Sequence, residues 1–422
     1  MASFSFGAGN ARQLAALPLQ LAGRLATALI PRSRDQWVFG CAVGIADGAL
    51  ALWRVADGEG VPAVWLVASV RERAEAERLG IPAVARDSLR GWWRTARARV
   101  VVVTHGFGDA NRYGVWGAFV VQLWHGIPLK RIGLDSPATL RLPAALQRML
   151  GPERAAALVR VMYRSSARRI RLLPAASHLV RGRLESAFGL ADSRVPVTGE
   201  PRVDVLSQGG AAERRDEARA GVEAAVGPLG EGTRVVLYAP TWRDGDADPA
   251  VPHAGEWREI EEMLERRDAV LLVRSHPLGA GDYRPPAPTG RIREIGSDAV
   301  PDITPLLPAL DALVTDYSSI VFDAALVPVP AVFLAPDEAE YARTRGFYGA
   351  YGDVAEQVAT TWTDTCAQLD AVLGDADEHA RRIERARRLS ARVHAYRDGG
   401  SARRVYGAIQ ARLSTGRRMG DT

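Results

Sequence analysis

The sequence predicts an α/β protein with two domains, each built around a parallel sheet. Its 422 residues are 47% hydrophobic and 24% charged, a balance typical of globular proteins and sufficient for two cores. This apolar content excludes disordered and fibrous classes. Short β-branched runs alternate with helical patterns along the chain, and such alternation favours parallel sheets covered by helices on both faces.

The predicted strands fall into two series separated by a polar, Ala/Gly-rich stretch at 206–233. The first series is Trp37–Ala42, Ala63–Ala68, Val100–Thr104, Phe119–Trp124 and Val195–Thr198, and the second is Arg234–Ala239, Ala269–Arg274, Ala312–Thr315 and Ala331–Leu334. Helical patterns lie between them, for example at Arg71–Leu79, Trp257–Arg267 and Ser319–Leu326. We therefore place the domains at 1–205 and 206–422. The final helical stretch, 378–412, caps the second domain or bridges back to the first.

Two segments of the first domain are predicted to face a membrane. In the first, at about 11–34, leucines recur at helical spacing, and no acidic residue precedes Asp35. The second, 138–183, carries ten arginines against one acid, Glu153, and indicates an anionic partner. The alternatives are a helix packed on its own domain and a solvated basic face. No stretch reaches the roughly 20 apolar residues of a transmembrane helix.

The cysteine content limits metal and redox chemistry. Cys41 and Cys366 are the only cysteines, too few for a disulfide framework or a four-cysteine zinc site. We therefore expect a reducing compartment and no metal site.

Three histidines follow predicted strands, His105 and His125 in the first domain and His276 in the second, and His105 is the lesser candidate. His125 stands in the motif WHGIPLK at 124–130, and His276 in RSHP at 274–277. Open α/β sheets bind ligands beyond the carboxyl ends of their strands, and histidine is the side chain best suited to take a proton near neutral pH. His125 and His276 are candidate catalytic residues, although a lone histidine after a strand is more often structural.

A third motif, TDYSSIVFD at 315–323, predicts a phosphate site. A buried strand runs into a turn and then an apolar helix, so that Asp316 or Ser318 can cap the helix, and Ser318 and Ser319 offer hydroxyls beside free backbone N–H groups. Asp323 lies one turn further along the helix. Simple capping is the alternative. Arg243 and Arg274 also follow strands and could neutralise phosphate charge.

In order and spacing, seven motifs resemble the CDP-glycerol:glycerophosphate glycerophosphotransferase family, the teichoic-acid-type primases and polymerases. They are WHGIPLK (124–130), GEPRVDVL (199–206), LYAPTWRD (237–244), RSHP (274–277), DITPLL (302–307), TDYSSIVFD (315–323) and YARTRGFY (341–348). The resemblance implies a GT-B fold, two Rossmann-like domains with the active site in the cleft between them.

The resemblance also implies a reaction. Glycerol phosphate, or another polyol phosphate, would pass from CDP-glycerol or CDP-ribitol to a hydroxyl of a lipid-linked envelope glycan or polyol phosphate, releasing CMP at the cytoplasmic face of the membrane. His125 would be the base near the acceptor. His276, Ser318 and Ser319 would hold the donor pyrophosphate, with Asp323 close by. Positioning and charge neutralisation can drive phosphoryl transfer without a resident cofactor.

Two other functions remain open from the sequence. A GT-B glycosyltransferase would share this fold but would transfer a sugar and release a nucleoside diphosphate. A non-catalytic membrane- or nucleic-acid-binding protein would use the basic segment alone. Only one aromatic residue, Tyr163, interleaves with the arginines of 138–183, so a stacking platform for nucleic acid is disfavoured.

Overall fold

The structure is a computed structural model that describes residues 17–137, 139, 148–149, 151–243, 248–275, 281–287 and 289–418. The described chain forms two compact units. Unit 1 takes its residues from Met1–His125, Arg131–Asp204 and Ala395–Thr422, and unit 2 takes its residues from Gly126–Lys130 and Val205–His394.

Eleven strands are formed by the described residues. In unit 1 these are β1 (Trp37–Phe39), β2 (Ala63–Val67), β3 (Ala83–Ala85), β4 (Val100–Val103), β5 (Phe119–Gln122) and β6 (Ile170–Leu172). In unit 2 they are β7 (Arg234–Ala239), β8 (Ala269–Val273), β9 (Ile292–Glu294), β10 (Ala312–Thr315) and β11 (Ala331–Phe333).

Helices follow most of the strands. We number those of the described residues α1 (Leu17–Ala28), α2 (Asp47–Gly58), α3 (Val70–Arg78), α4 (Leu89–Arg97), α5 (Pro152–Ala167), α6 (His178–Phe188), α7 (Ala211–Val226), α8 (Ala254–Arg266), α9 (Ile320–Ala324), α10 (Glu338–Thr344), α11 (Trp362–Gly374), α12 (Ala376–Val393) and α13 (Ser401–Arg418). In this part of the chain, no helix combines the length and the apolar character that crossing a membrane requires.

The sheet of unit 1 has the order β3-β2-β1-β4-β5-β6, with every pair parallel. Its central strand β4 consists of four valines, all fully buried, as expected for a strand covered on both faces. The order reverses between β1 and β4, which is the switch point of a Rossmann-like sheet. Ligands of such folds bind beyond the carboxyl ends of the strands at this position.

The sheet of unit 2 has the order β11-β10-β7-β8-β9 and is also entirely parallel. Its switch point lies between β7 and β10. The connector predicted at 206–233 contains α7, whose Val222 is buried within this unit.

The carboxyl-terminal helix α13 belongs to unit 1. The domain bounds predicted from the sequence place this helix at the end of the second domain and leave open that it bridges back to the first. Val405 and Ile409 of α13 are fully buried in the core beneath β1. Asp204 fixes the start of the helix, because its carboxylate accepts hydrogen bonds from the backbone N–H groups of Ser401 (2.9 Å) and Ala402 (2.7 Å). A Cβ at Gly199, which has φ +79°, would clash with Ser401.

The sixth strand of unit 1 differs from the prediction. The predicted strand Val195–Thr198 contributes only an isolated parallel bridge between Val197 and Ala175, and Ile170–Leu172 completes the sheet instead. The arginine at 171 breaks the apolar run, but it points to solvent while its two neighbours are buried. The pattern of a short strand with one exposed residue was too weak to predict it.

Candidate functional site

Two loops of unit 1 meet where the strand order reverses. Cys41 lies two residues beyond β1, and His105 lies two residues beyond the adjacent strand β4. Asp47, the first residue of α2, completes this cluster: ligating atoms of the three side chains all lie within 4.8 Å of one another. The sequence singled out only His105 of these, as a minor candidate.

His125 lies beside this cluster and stacks on His105. The two imidazole rings are 2° from parallel, with centroids 4.2 Å apart. The preceding residue, Trp124, has φ +64°, a left-handed conformation that is rare for a bulky side chain and that costs about 1–2 kcal/mol. Such backbone strain concentrates at functional sites. The WHG motif therefore uses a strained turn to place His125 against His105.

A buried hydrogen-bond network orients His105. The Asp109 carboxylate accepts from the backbone N–H groups of Thr104 (2.9 Å) and His105 (2.7 Å). The Thr104 hydroxyl lies 3.2 Å from the same carboxylate and 2.9 Å from Nδ1 of His105. Burial lowers the pKa of His105 to about 4, with a contribution from the positive charge of Arg202. His105 is therefore neutral at pH 7.

Arg202, from the motif GEPRVDVL, reaches the same region. Its Nε lies 3.4 Å from Oδ1 of Asp47, and both side chains are largely buried. Asp47 itself has φ +59°, and its carboxylate accepts a hydrogen bond from the N–H of Gly48. Unit 1 thus gathers two histidines, a thiol, a carboxylate and a guanidinium at one edge of its sheet.

The switch point of unit 2 is occupied by a buried ion network. The Arg243 guanidinium follows β7 and binds Asp316 (2.7 Å), which follows β10. It also makes a two-pronged contact with Asp337, at 2.8 and 2.9 Å. Burial lowers the pKa of Arg243, but the hydrogen bonds and charges of the two carboxylates outweigh it and raise the pKa above its usual value.

Aromatic rings support this network. Tyr317 stacks on Tyr341 with ring centroids 4.0 Å apart, and its hydroxyl donates to Asp337 (2.9 Å). The Tyr351 hydroxyl donates to the backbone carbonyl of Asp316 (3.0 Å). Tyr341 and Tyr351 come from the region of the YARTRGFY motif, which therefore braces the turn after β10.

Lys130, the only lysine of the sequence, belongs to this second site. Its backbone pairs with Phe347, and the N–H of Tyr348 donates to the carbonyl of Leu129 (2.9 Å). Burial lowers the pKa of Lys130 to about 8; the Asp316 carboxylate opposes the shift, while Arg345 and Arg243 add to it. Lys130 therefore carries a cation into the neighbourhood of the Asp316 carboxylate and of two guanidinium groups.

The two serines of TDYSSIVFD lie half-buried at the same turn, directly after Asp316 and Tyr317. Ser318 Oγ accepts a long hydrogen bond from the N–H of Ile320 (3.4 Å), so the predicted cap is weak. Helix α9 has only five residues, which leaves little helix dipole to attract a phosphate. Asp323 is buried within that helix, with an exposed fraction of 2%.

The remaining predicted site residues have different surroundings. Arg274 donates to the backbone carbonyls of Ile295 (3.0 Å) and Val300 (2.8 Å), and thereby holds the segment after β9. His276 lies outside the described residues. Arg243 is committed to Asp316 and Asp337. These contacts do not test the predicted catalytic and donor-binding roles, which stay predictions.

Two Rossmann-like parallel sheets, each with a polar cluster at its switch point, define an α/β protein of the GT-B class. The sequence profile of the family described as CDP-Glycerol:Poly(glycerophosphate) glycerophosphotransferase matches residues 43–411. The chain belongs to this family, which confirms the resemblance identified from its motifs.

Similar proteins agree with this assignment. A teichoic acid glycerol-phosphate transferase of Staphylococcus aureus is 30% identical over 59% of this chain and 62% of its own length. A teichoic acid ribitol-phosphate primase of Bacillus spizizenii is 28% identical over 43% of this chain and 45% of its own length. The chain thus spans less than two thirds of these relatives.

A solved structure shows the same fold. The wall teichoic acid polymerase TagF superposes with a TM-score of 0.74 over 96% of this chain and 97% of that chain, at 20% identity. The likeness confirms the predicted fold class.

Proposed function

We propose that the protein transfers glycerol phosphate, or another polyol phosphate, from a CDP-polyol to a hydroxyl of a membrane-linked cell-envelope acceptor. The observation that carries this proposal is membership of the glycerophosphotransferase family across 43–411, together with the motif histidine His125 set on a strained turn. The product belongs to a teichoic-acid-like or capsule-like polymer.

In the proposed reaction, the acceptor hydroxyl attacks the donor phosphorus that bears the polyol. The new P–O bond forms to the acceptor oxygen, and the bond between the two donor phosphates breaks. His125 takes the hydroxyl proton as general base, and CMP leaves with the bridging oxygen. The stack on the neutral ring of His105 leaves His125 free of a second positive charge on that face when it becomes an imidazolium.

We assign the donor to unit 2. Phosphoryl transfer asks mainly for positioning and for neutralising charge on the nonbridging oxygens. Ser318 and Ser319 offer hydroxyls, and Lys130 offers a cation near Asp316. We treat Arg243 as the residue that positions Asp316, because its guanidinium already binds two carboxylates. His276 remains a proposed donor contact. Transfer by this route needs no resident cofactor.

We also propose that unit 1 binds an anionic membrane surface peripherally. Leu25 of α1 is 69% exposed, and Leu29, one residue beyond the end of this helix, is 85% exposed. On α5, Leu158 and Val161 are exposed among exposed arginines. Exposed apolar side chains beside basic ones are typical of helices that lie in a membrane interface.

The two helical regions lie near each other in unit 1. The Trp116 ring has Arg24 of α1 on it, at 3.7 Å, and Arg169, just beyond α5, at 5.2 Å. Arg24 of α1 and Arg169 of the basic segment therefore contact the same ring. This proximity lets both segments meet the same lipid surface.

The experiment that tests the function is nucleotide release from a panel of donors. Purified protein would be given CDP-glycerol, CDP-ribitol or UDP-sugars, with a lipid-linked or soluble acceptor. Acceptor-dependent CMP from a CDP-polyol supports the proposal and identifies the polyol. Release of UDP from a UDP-sugar, with no turnover of either CDP-polyol, would contradict the proposal and support the glycosyltransferase alternative.

A further inference from the structure

The cluster of Cys41, Asp47 and His105 has the composition of a transition-metal site. Its three potential ligands come from three separate parts of unit 1: the ends of β1 and β4 and the first residue of α2. Ligands of four-coordinate zinc are about 3.5 Å apart, given bonds of about 2.0–2.3 Å. Ligating atoms within 4.8 Å of one another need only a small approach to reach that separation.

The nature of the donors selects the ion. A sulfur, an imidazole nitrogen and a carboxylate oxygen together suit Zn²⁺ and Co²⁺, whereas Mg²⁺ and Ca²⁺ prefer oxygen ligands throughout. Cys41 is 6% exposed, and its sulfur faces the interior of the cluster rather than solvent. Three protein ligands leave one coordination position for water.

The surrounding hydrogen bonds match those that orient metal ligands. The Thr104 hydroxyl lies 2.9 Å from His105 Nδ1 and 3.3 Å from Cys41 Sγ. With Nδ1 donating to that hydroxyl, His105 keeps Nε2 as an acceptor. Asp109 anchors the hydroxyl in turn, at 3.2 Å. In metal sites the second ring nitrogen of a ligating histidine is usually held by a carboxylate, a carbonyl or water, and here the Thr104 hydroxyl, backed by Asp109, takes that place.

The backbone conformation of Asp47 and a neighbouring guanidinium position its carboxylate. Its left-handed backbone, with φ +59°, is a conformation that a non-glycine residue adopts at a cost, and it brings the carboxylate to the switch point. Arg202 lies 3.4 Å from the same carboxylate. This guanidinium is the alternative partner of Asp47, so ion binding has to compete with or tolerate it.

We propose that Cys41, Asp47 and His105 bind one zinc-type divalent cation, with Thr104 and Asp109 as supporting residues. The ion joins the loops after β1 and β4 and thereby fixes the ring on which His125 stacks, and the negative charges of the Cys41 thiolate and the Asp47 carboxylate balance the charge of the ion. It takes no part in the transfer step, so the proposal stands or falls separately from the proposed function.

The test is titration of the full chain with Co²⁺, monitored by absorption. A thiolate bound to Co²⁺ gives a charge-transfer band in the near ultraviolet, which oxygen and nitrogen ligands do not give. The wild-type protein is expected to develop this band and to saturate at one ion per chain. Cys41→Ser is expected to abolish the band. Cys366→Ser, which removes the only other cysteine, is the matched control and is expected to retain it.

Two further variants separate ion binding from folding. Thr104→Val keeps the shape of the side chain at 104 and leaves the Cys41 thiol in place, but removes the hydroxyl that holds His105. It is expected to weaken Co²⁺ binding roughly 10- to 100-fold. In His105→Asn, the Co²⁺ absorption is no longer expected to saturate at one ion per chain. Zn²⁺ is expected to raise the Tm of the wild type and of Cys366→Ser but not that of Cys41→Ser. A wild-type protein without the band, or a band that persists in Cys41→Ser, would overturn the proposal.

Discussion

The imidazole rings of His105 and His125 lie face to face, 4.2 Å apart between centroids and 2° from parallel. His105 is held by the Thr104 hydroxyl and by the turn around Asp109, whereas His125 stands on the strained turn after β5. One ring is thus fixed and neutral, and the other is presented by the family motif. For this reason we propose His125, and not His105, as the residue that exchanges a proton.

Replacing His125 should impair chemistry more than binding. His125→Asn is expected to lower kcat roughly 10²- to 10⁴-fold, the usual contribution of a general base, with little change in donor affinity. Donor affinity and turnover would be measured separately, by calorimetry and by CMP release. His253→Asn, on an exposed residue of unit 2, is the control. Full activity in His125→Asn would show that another group takes the proton.

The charge of Lys130 should set an upper pH limit for donor binding. Its pKa is lowered to about 8, so the cation is present below pH 8 and is lost as the pH rises through that value. Donor affinity is therefore expected to fall roughly 10- to 100-fold above pH 8, the worth of one charge-assisted hydrogen bond. Lys130→Arg should keep its charge and remove this pH dependence.

The same property can be measured directly, because Lys130 is the only lysine. The pH dependence of its acetylation, followed by mass spectrometry of the peptide, reports the pKa of this amine alone. A midpoint near 8 agrees with the structure. A midpoint near the usual 10.4 would remove the basis of the expected pH limit.

The ion network of unit 2 should be a major source of its stability. Arg243→Ala leaves the carboxylates of Asp316 and Asp337 unpaired in a largely buried position, and breaking a buried pair in this way costs about 3–5 kcal/mol. Urea unfolding would measure the loss. The exposed pair Arg284–Glu294 is the comparison, and Arg284→Ala should leave the transition nearly unchanged. Equal effects of the two substitutions would contradict the structural role given to Arg243.

The carboxylate of Asp204 should stabilise the first turn of α13. Asp204→Ala removes the acceptor of two backbone N–H groups at the start of this helix, a change worth about 1 kcal/mol. Hydrogen exchange is expected to rise in the first turn of α13. Exchange that is unchanged there would mean that the helix is held by its buried apolar residues alone.

Much of this architecture follows from local sequence patterns. The valines of β4 and the apolar runs of β7, β8 and β10 predict buried parallel strands, because such strands need apolar side chains on both faces. Strands β1 and β11 have only three residues but lie within the predicted runs Trp37–Ala42 and Ala331–Leu334. Strands β3, β6 and β9 are equally short, show no period and are not predicted. Their places in the sheets depend on the neighbouring strands rather than on their own sequence.

Of the residues gathered at the two switch points, the sequence predicts mainly those that stand in motifs. His125, Asp316 and the two serines each follow an apolar strand within a few residues. Cys41 and Asp47 stand in no motif, and only the parallel pairing of β1 with β4 brings them to His105. The engagement of Arg243 by Asp337, 94 residues away, is likewise a property of the fold and leaves no local signal.

Membrane association should depend on the exposed leucines Leu25, in α1, and Leu29, just beyond it. The double substitution Leu25→Glu with Leu29→Glu removes two side chains whose burial is worth about 1.5–3 kcal/mol each, so binding to anionic vesicles should weaken roughly 100-fold or more. Leu89→Glu, at a residue 86% exposed elsewhere in unit 1, is the matched control. Unchanged vesicle binding in the double variant would exclude α1 as the membrane contact.

Transfer of a polyol phosphate can be measured by following the phosphorus itself. CDP-glycerol would be prepared with a label in either of its two phosphates and incubated with protein and acceptor. The label of the glycerol-bearing phosphate is expected to enter the acceptor, while the label of the other phosphate leaves in CMP, in equal amounts. Entry of the cytidine-bearing phosphate into the acceptor, or an acceptor that gains glycerol without phosphorus, would contradict transfer of a polyol phosphate.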